Sequence, residues 1–420
     1  TIRTPNLDRM AKEGMRFTSF YSAAPVCTPS RAALMTGRLP IRNGMCSDRR
    51  RVLFPNSAGG IPKNETLIAE ALKTKGYATM CVGKWHLGHL KQYLPTSNGF
   101  DSYYGIPYSN DMDRVAEKAP KGRLAFWNPK IEYWNVPLMR DEKELERPAN
   151  QNTITKRYTQ EAVEFITAKK DQSFFLYLAH SMPHVPLFAS KKFKGTSKRG
   201  LYGDVIEEID WSVGQVLDAI RKSGIDKKTL VIFSSDNGPW LIFNQHGGSA
   251  GLLRGGKGGT FEGGMRVPGI MWWPGSIKAG QIVTDMASTL DVFPTAVSLA
   301  GAEMPKDREI DGYDLSTFLR GDAKTSPRKT MFFYRGEQLY AVRHGAFKAH
   351  FTTKPEYGRG KAVKHDTPLL YNLEHDPSEK HNIAKDHEKV IEVIREIREA
   401  HLKNVKPGEN QLVRTIKRNE

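Results

Sequence analysis

The chain has 420 residues, of which 39% are hydrophobic and 26% charged, and its formal net charge is +17. This composition is that of an ordinary globular protein, and the length allows one large domain and a smaller one. Three cysteines are too few for a disulfide framework, and no apolar run approaches the length of a membrane span.

The excess of basic residues favours polyanionic partners, because a positive field concentrates them near the surface. A lysine-rich surface that only serves solubility is an equal alternative. Basic runs occur at residues 49–51 and 191–199, and neither contains interleaved aromatic residues. A nucleic-acid platform combines cations with stacking rings, so nucleic acid is not expected as a partner.

The first informative segment is Cys-Thr-Pro-Ser-Arg-Ala-Ala-Leu-Met-Thr-Gly-Arg at residues 27–38. Pro29 suits the first turn of a short helix and Gly37 its end. The helix dipole and the first-turn N–H groups favour an anion beside Cys27, and Arg31 adds a fixed positive charge. These residues predict an activated cysteine beside an anion site, with a buried, inert cysteine as the alternative.

Strands and helices are predicted to alternate as far as residue 325. The hydrophobic pattern predicts strands over 77–82, 174–179, 229–233 and 267–273, and helices over 65–75 and 203–223. This alternation predicts an α/β fold with a mostly parallel central sheet flanked by helices.

Polar residues follow three of these strands, and a glycine-rich loop precedes the fourth. In chain order they are Lys84 and His86, His180 and His184, Asp236 and Asn237, and Lys257 in the loop. Ligands of open α/β sheets bind outside the carboxyl ends of the strands. The sequence therefore predicts a single site at this edge, where Asp236 and Asn237 suit a hard cation such as Ca²⁺.

The pattern changes after residue 325. Short strands are predicted over 331–334, 339–343, 348–351 and 369–372, followed by an amphipathic helix over 386–403. We therefore predict a catalytic domain over 1–325 and a small domain over 326–420, built from an antiparallel sheet and one helix. The tail after Pro407 lacks periodicity and is expected to fray.

The segment 27–38 resembles the signature of the formylglycine-dependent sulfatase family. The strings at 83–88 and 253–268 resemble two further sulfatase motifs, and those at 39–44 and 195–204 resemble the branch that holds arylsulfatase A and N-acetylgalactosamine-6-sulfatase. The resemblance runs through essentially the whole chain. It implies an alkaline-phosphatase-like fold and hydrolysis of sulfate monoesters, with a sulfated saccharide or an aryl sulfate as substrate.

The resemblance also implies roles for individual residues. Cys27 would be converted by a maturation enzyme to 3-oxoalanine (formylglycine), whose hydrated aldehyde attacks sulfur. Lys257 would hold the sulfate, and Arg31 and Lys84 would stabilise its charge. His184 would protonate the leaving oxygen, with His180 as the alternative, and His86 would take the proton that releases sulfate. Asp236, Asn237 and residue 27 would bind Ca²⁺, with Mg²⁺ as the alternative metal.

The chain departs from the family at its start. Sulfatases begin with a buried strand that ends in paired aspartates, which are two further metal ligands, whereas this chain starts at Thr1-Ile2-Arg3. We therefore expect a chain truncated at its N-terminus that binds metal poorly. The family also implies a periplasmic, secreted or lysosomal location, although no signal segment is visible.

Two other functions remain open at this point. A phosphomonoesterase or phosphodiesterase can use the same fold, because fold does not determine function. A truncated, inactive chain could instead only bind sulfated glycan. The sequence does not decide whether Cys46 and Cys81 pair.

Overall fold

The strands and helices of the chain are described here from a computed structural model, which covers residues 2–357 and 360–416. The helices are α1 Pro5–Glu13, α2 Cys27–Thr36, α3 Pro40–Asn43, α4 Ile68–Lys73, α5 Leu124–Trp127, α6 Ile154–Ala168, α7 Gly200–Lys222, α8 Glu262–Met265, α9 Val292–Leu299, α10 Ser316–Arg320 and α11 Glu388–Asn404. The strands are β1 Met15–Tyr21, β2 Ala78–Gly83, β3 Ser102–Gly105, β4 Leu138–Arg140, β5 Lys143–Glu146, β6 Phe174–Ala179, β7 Val231–Ser234, β8 Gly269–Trp272, β9 Gln281–Ser288, β10 Thr330–Arg335, β11 Gln338–His344, β12 Phe347–Thr353 and β13 Val363–Asn372.

Two sheets form the larger part of the fold. The first has the order β5-β4-β3-β2-β6, in which β2 runs parallel to β3 and β6. The second has the order β7-β8-β1-β9, in which β1 runs parallel to β9 and antiparallel to β8. The predicted α/β class is confirmed. The pairing is mixed, because β8 returns antiparallel between β7 and β1, and β3, β4 and β5 pair antiparallel.

The predicted elements form where the hydrophobic pattern places them. The expectation that the tail after Pro407 frays is wrong, because Gln411 donates from its N–H to the carbonyl of Gly44 and Leu412 is buried. All six residues of β2 are buried, as expected for a strand with a neighbour on each side. The long helix α7 buries Val205, Ile209, Leu217 and Ile220 along one face. Helix α2 ends at Gly37, which adopts a φ of 66° and donates from its N–H to the carbonyl of Ala33. Such a left-handed C-cap favours glycine.

A cleft separates the two sheets. Strands β6 and β7 are the edge strands that face each other, and a cavity of about 1490 Å³ lies between them. Apolar residues of α4, α7 and α9 line its walls, and Arg31, Lys84 and Asp236 line the end at which the strands' carboxyl termini lie. The cleft therefore leads directly to the predicted site.

The C-terminal part is an antiparallel sheet, β10-β11-β12-β13, covered by α11, as predicted. The division at residue 325 stays a prediction. This sheet contacts the larger part through a fully buried charge cluster, in which the ammonium of Lys348 lies 2.9 Å from Glu262 and 3.1 Å from Glu379. Lys348 also donates to the carbonyl of Thr260 at 2.8 Å, so the sheet anchors the end of the glycine-rich loop.

The three cysteines are buried free thiols, which answers the question of pairing. Cys46 packs in the hydrophobic cluster beneath the C-terminal sheet, whereas Cys81 lies in β2 within another cluster. Within residues 2–357 and 360–416, none of the helices combines the length and the hydrophobicity that crossing a membrane requires.

Leu217 tests the packing of α7 against the second sheet. It is 0% exposed and clusters with Met10, Ile270 and Trp272. We expect Leu217→Ala to lower the free energy of unfolding by about 2–5 kcal/mol, because truncation leaves a cavity that the helix cannot fill. Urea denaturation followed by fluorescence measures the change. Leu252, which is 79% exposed, provides the control: Leu252→Ala should change stability by less than about 0.5 kcal/mol. Equal effects of the two variants would contradict the packing.

Candidate active site

Cys27 is the first residue of α2, and its side chain is buried. Burial by itself raises the pKa of the thiol, but the ammonium groups of Lys257 and Lys84, together with His184 and His86, lower it well below its usual value. The thiol therefore lies where two lysines and two histidines converge. A negatively charged atom is favoured at this point, whether it belongs to the protein or to a ligand.

Arg31 lies one turn along α2 and faces the same point. Its Nε donates to the carboxylate of Asp236 at 2.8 Å, and its Nη1 donates to the main-chain carbonyl of Lys84. Burial disfavours the charge of Arg31, but Tyr177, Asp236 and Cys27 outweigh it and raise its pKa. Arg31 is therefore a permanent cation that joins the residues after β2 to those after β7.

Lys84 follows β2 directly and is 2% exposed. Its ammonium donates to Ser109 at 3.1 Å. Burial and the charges of Arg31 and Lys257 lower the pKa of Lys84, although Cys27 and Asp236 act in the opposite direction. Three buried cations, Arg31, Lys84 and Lys257, therefore surround one thiol and repel one another. An anion bound among them would reduce this repulsion.

His86 has a defined tautomer in its neutral form. Its Nε2 lies 2.8 Å from the carbonyl of Leu53, which can only accept, so Nε2 carries the proton. Nδ1 is buried and has no hydrogen-bond partner among the described residues. Burial and the charge of Lys84 lower the pKa of His86, which favours the neutral ring. His86 therefore presents a free proton acceptor within the group around Cys27.

The side chains of the two histidines after β6 point to different parts of the structure. His184 acts on the Cys27 thiol, and because its Nδ1 lies 2.6 Å from the carbonyl of Val185, its Nε2 is left available. His180 instead bonds through Nε2 to Ser212 of α7 at 3.1 Å, and burial lowers its pKa to about 4. The geometry thus brings His184 to Cys27 and directs His180 to a helix.

Asp236 and Asn237 follow β7 and offer oxygen atoms to a cation. The Oδ1 of Asn237 is buried and accepts no hydrogen bond from any described residue, whereas the Oδ2 of Asp236 accepts a hydrogen bond from Arg31. These donors suit a hard cation, but Ca²⁺ takes about 6–8 oxygen ligands. Among the described residues, no group of three or more His, Cys, Asp or Glu side chains is placed to hold a metal. The donors therefore fit part of a metal shell and do not complete one.

Lys257 is held by the glycine-rich loop. Its main-chain N–H donates to the carbonyl of Pro239 at 2.8 Å, and its ammonium lies 4.5 Å from the centre of the Trp240 ring. Burial lowers the pKa of Lys257, but Cys27, Tyr357 and Asp236 raise it by more. The next residue, Gly258, has a φ of 87°, and a Cβ there would lie 2.7 Å from the Tyr357 ring. Glycine is thus required where the ring covers the loop.

Several residues of the site were not predicted from the sequence. Ser109 bonds to Lys84, and Asp111 lies 3.9 Å from His184. Trp240 contacts His184 and Lys257, and its ring lies 5.1 Å from that of Tyr357. These residues lie in loops without periodicity or a recognisable motif. The sequence therefore held no signal that singled out any of them.

The arrangement can bind a tetrahedral anion and move protons on two sides of it. Lysine and arginine supply charge, His86 supplies a proton acceptor, and His184 supplies a second titratable ring. Preorganised cations of this kind stabilise charge that develops during group transfer.

Comparison with known proteins gives the family. A family model described as Sulfatase matches residues 1–302, and one described as the C-terminal region of aryl-sulfatase matches residues 326–419. N-acetylgalactosamine-6-sulfatase of Mus musculus is 42% identical over 451 residues, which cover 97% of this chain and 83% of the relative. Arylsulfatase A of Bos taurus is 39% identical over 428 residues, which cover 95% and 82%.

The solved structures agree. The crystal structure of the PsFucS1 sulfatase from Pseudoalteromonas sp. superposes with a TM-score of 0.85 at 30% identity, covering 97% of this chain and 87% of that one. The predicted alkaline-phosphatase-like fold and the predicted family are both confirmed. The chain belongs to the sulfatase family, whose members are sulfuric ester hydrolases.

Proposed function

We propose that this sulfatase acts on a sulfated saccharide and uses residue 27, converted to formylglycine, as its nucleophile. The observation that carries the proposal is the convergence of Lys84, Lys257, His86 and His184 on the buried side chain of Cys27. The relative named N-acetylgalactosamine-6-sulfatase supports a sugar as the carrier of the sulfate. We also propose that a maturation enzyme converts Cys27 and that the protein acts in the periplasm, outside the cell or in the lysosome.

The surroundings of Cys27 fit formylglycine, because its oxygen atoms would meet the same donors that lower the pKa of the thiol. The hydrated aldehyde would supply one hydroxyl to attack sulfur and a second whose deprotonation expels sulfate and restores the aldehyde. An unmodified thiol lacks the second hydroxyl, so it would be sulfated once and stop.

The side chains around residue 27 have separate tasks in this proposal. Lys257 binds the sulfate group, and Arg31 and Lys84 stabilise the negative charge that develops on it. His184 donates a proton from Nε2 to the ester oxygen as it leaves. His86 accepts, at Nδ1, the proton of the second hydroxyl, which its tautomer leaves it free to do.

Asp236 and Asn237 would hold the divalent cation, Ca²⁺ or Mg²⁺, together with residue 27. Such an ion would supply charge stabilisation at the attacking oxygen. Because the described residues leave its shell incomplete, no step of the proposal depends on it.

Phosphate ester hydrolysis and glycan binding without turnover remain the alternatives, and neither is favoured by an observation. Both are separated from the proposal by the same assay. 4-Nitrophenyl sulfate and 4-nitrophenyl phosphate share a leaving group, so their relative kcat/KM values report the preference for sulfur or phosphorus directly. Glycan binding without turnover of either ester would identify the non-catalytic alternative.

Conversion of Cys27 can be tested directly. After coexpression with a formylglycine-generating enzyme, peptide mass spectrometry should show an aldehyde at residue 27, and the protein should hydrolyse 4-nitrophenyl sulfate. Cys27→Ala should lower kcat by at least about 10³-fold, because the nucleophile is lost. Cys46→Ala removes a thiol elsewhere and should keep the activity. An intact thiol at residue 27 in active protein would contradict the proposal.

The role of Lys257 in binding the sulfate can be tested by substitution. We expect Lys257→Met to lower kcat/KM for 4-nitrophenyl sulfate by about 10²–10³-fold, because a buried cation facing the sulfate is removed. Lys191→Met makes the same substitution at an exposed position and should change kcat/KM by less than about twofold. Thermal denaturation of both variants checks that they are folded. Unchanged activity of folded Lys257→Met would remove Lys257 from the site.

The affinity of the chain for Ca²⁺ can also be measured. The two oxygen-donating residues after β7 are too few for a tight site, so we expect the chain to bind Ca²⁺ with a Kd weaker than about 10⁻⁴ M. Titration calorimetry measures the affinity, and Asp236→Ala should abolish the remaining binding. Stoichiometric Ca²⁺ that survives dialysis against EDTA would show that further ligands complete the shell.

A further inference from the structure

A row of aromatic rings and cations extends outward from the proposed sulfate-binding lysine. The Trp240 ring contacts the ammonium of Lys257, and the Tyr357 ring lies next to it at 5.1 Å. The guanidinium of Arg51 stacks on the far ring, with its central carbon 4.1 Å from the centre of Tyr357. Arg51 is therefore linked to Lys257 through two rings in contact.

The positive charge of Arg51, at the outer end of this row, is not matched by an acidic partner in the part of the chain that the structure describes. Among residues 2–357 and 360–416, the Nη1 of Arg51 is buried without a hydrogen-bond partner, and no carboxylate forms an ion pair with Arg51. A buried charged donor without an acceptor is unfavourable, because it has given up its hydrogen bonds to water. This cost is recovered if a ligand brings the missing acceptor.

A second arginine adds to the charge. Arg335 donates to the carbonyls of Lys354 and Pro355 at 3.2 and 2.8 Å, and it too lacks an ion pair among the described residues. Burial and the charge of Arg51 lower the pKa of Arg335, while Tyr357 and Glu356 offset part of this effect. The charge of Arg335 therefore adds to the positive potential around Arg51, which favours an anion there.

The position of the Arg51 guanidinium over the Tyr357 ring indicates which chemical groups it can bind. With one face on an aromatic ring, its N–H groups point along the plane and match the two oxygens of a carboxylate or sulfate. We propose that Arg51, supported by Tyr357, binds a second anionic group of the saccharide whose sulfate ester lies at Lys257. The preferred substrate is then a polyanionic saccharide, in which a neighbouring sugar carries a carboxylate or a further sulfate. This inference rests on the proposed function.

Arg51→Met tests the proposal against a purely structural role. For a 6-sulfated N-acetylgalactosamine linked to a hexuronic acid, we expect kcat/KM to fall about 10- to 100-fold, mainly through KM, since a charge-assisted hydrogen bond is lost. For 4-nitrophenyl sulfate, which has no second anion, kcat/KM should stay within twofold. Arg51→Lys keeps the charge but not the paired N–H groups. Its kcat/KM for the disaccharide should lie between those of the unmodified protein and Arg51→Met. An equal loss on both substrates, or on neither, would overturn the proposal.

Controls separate the source of the anion and the effect of net charge. Arg49 is an exposed arginine two residues away, so Arg49→Met makes the same charge change and should behave like the unmodified protein. The disaccharide with its carboxylate reduced to an alcohol should lose the effect of Arg51→Met, and a disulfated disaccharide should restore it if sulfate is the ligand. A disulfated compound that is indifferent to Arg51 assigns the position to the carboxylate.

Binding to Cys27→Ala protein tests the same inference without turnover. Titration calorimetry with the uronate-containing disaccharide should give a Kd about 10- to 100-fold weaker when Arg51→Met is added, and no change with Arg49→Met. If Arg51→Met weakens binding as expected but the protein with residue 27 unchanged does not hydrolyse the sulfate ester, only the proposed function is refuted. Equal affinities would refute only the second anion site.

Discussion

Arg31 bonds to groups that belong to two different sheets, and the site depends on that connection. It donates to the carbonyl of Lys84, at the end of the five-stranded sheet, and to Asp236, after an edge strand of the four-stranded sheet. A buried ion pair of this kind adds little net stability, but removal of one partner leaves an uncompensated charge and costs about 3–5 kcal/mol. Arg31 therefore sets the distance between the two halves of the site as well as its charge.

The positive charge around Cys27 acts strongly because its carriers are shielded from solvent. Arg31, Lys84 and Lys257 are all buried, and Asp236 neutralises only part of their charge. The same imbalance lowers the pKa of the thiol and prepares the site for an anionic ester. The C-terminal sheet contributes from a distance, because Lys348 and Glu379 hold the ends of the loop that carries Lys257.

Prediction from sequence succeeded where a local pattern determines the structure. The helix at Cys27, the strands that end before Lys84 and Asp236, and the C-terminal strands follow from periodicity and from proline and glycine positions. The prediction was incomplete where the pairing of strands depends on segments far apart in the sequence. Nothing local in residues 269–272 shows that β8 runs antiparallel between two other strands, so the mixed sheet could not be foreseen.

The same limit applies to the site. Residues that follow predicted strands converge, because the ends of the strands meet at one edge. Asp111, Trp240 and Tyr357 reach the site from irregular loops, whose paths are set by packing that no short motif encodes. The sequence also could not show which of His180 and His184 lies beside Cys27, because this depends on the direction of each ring, and the hydrogen bonds to Val185 and Ser212 fix those directions.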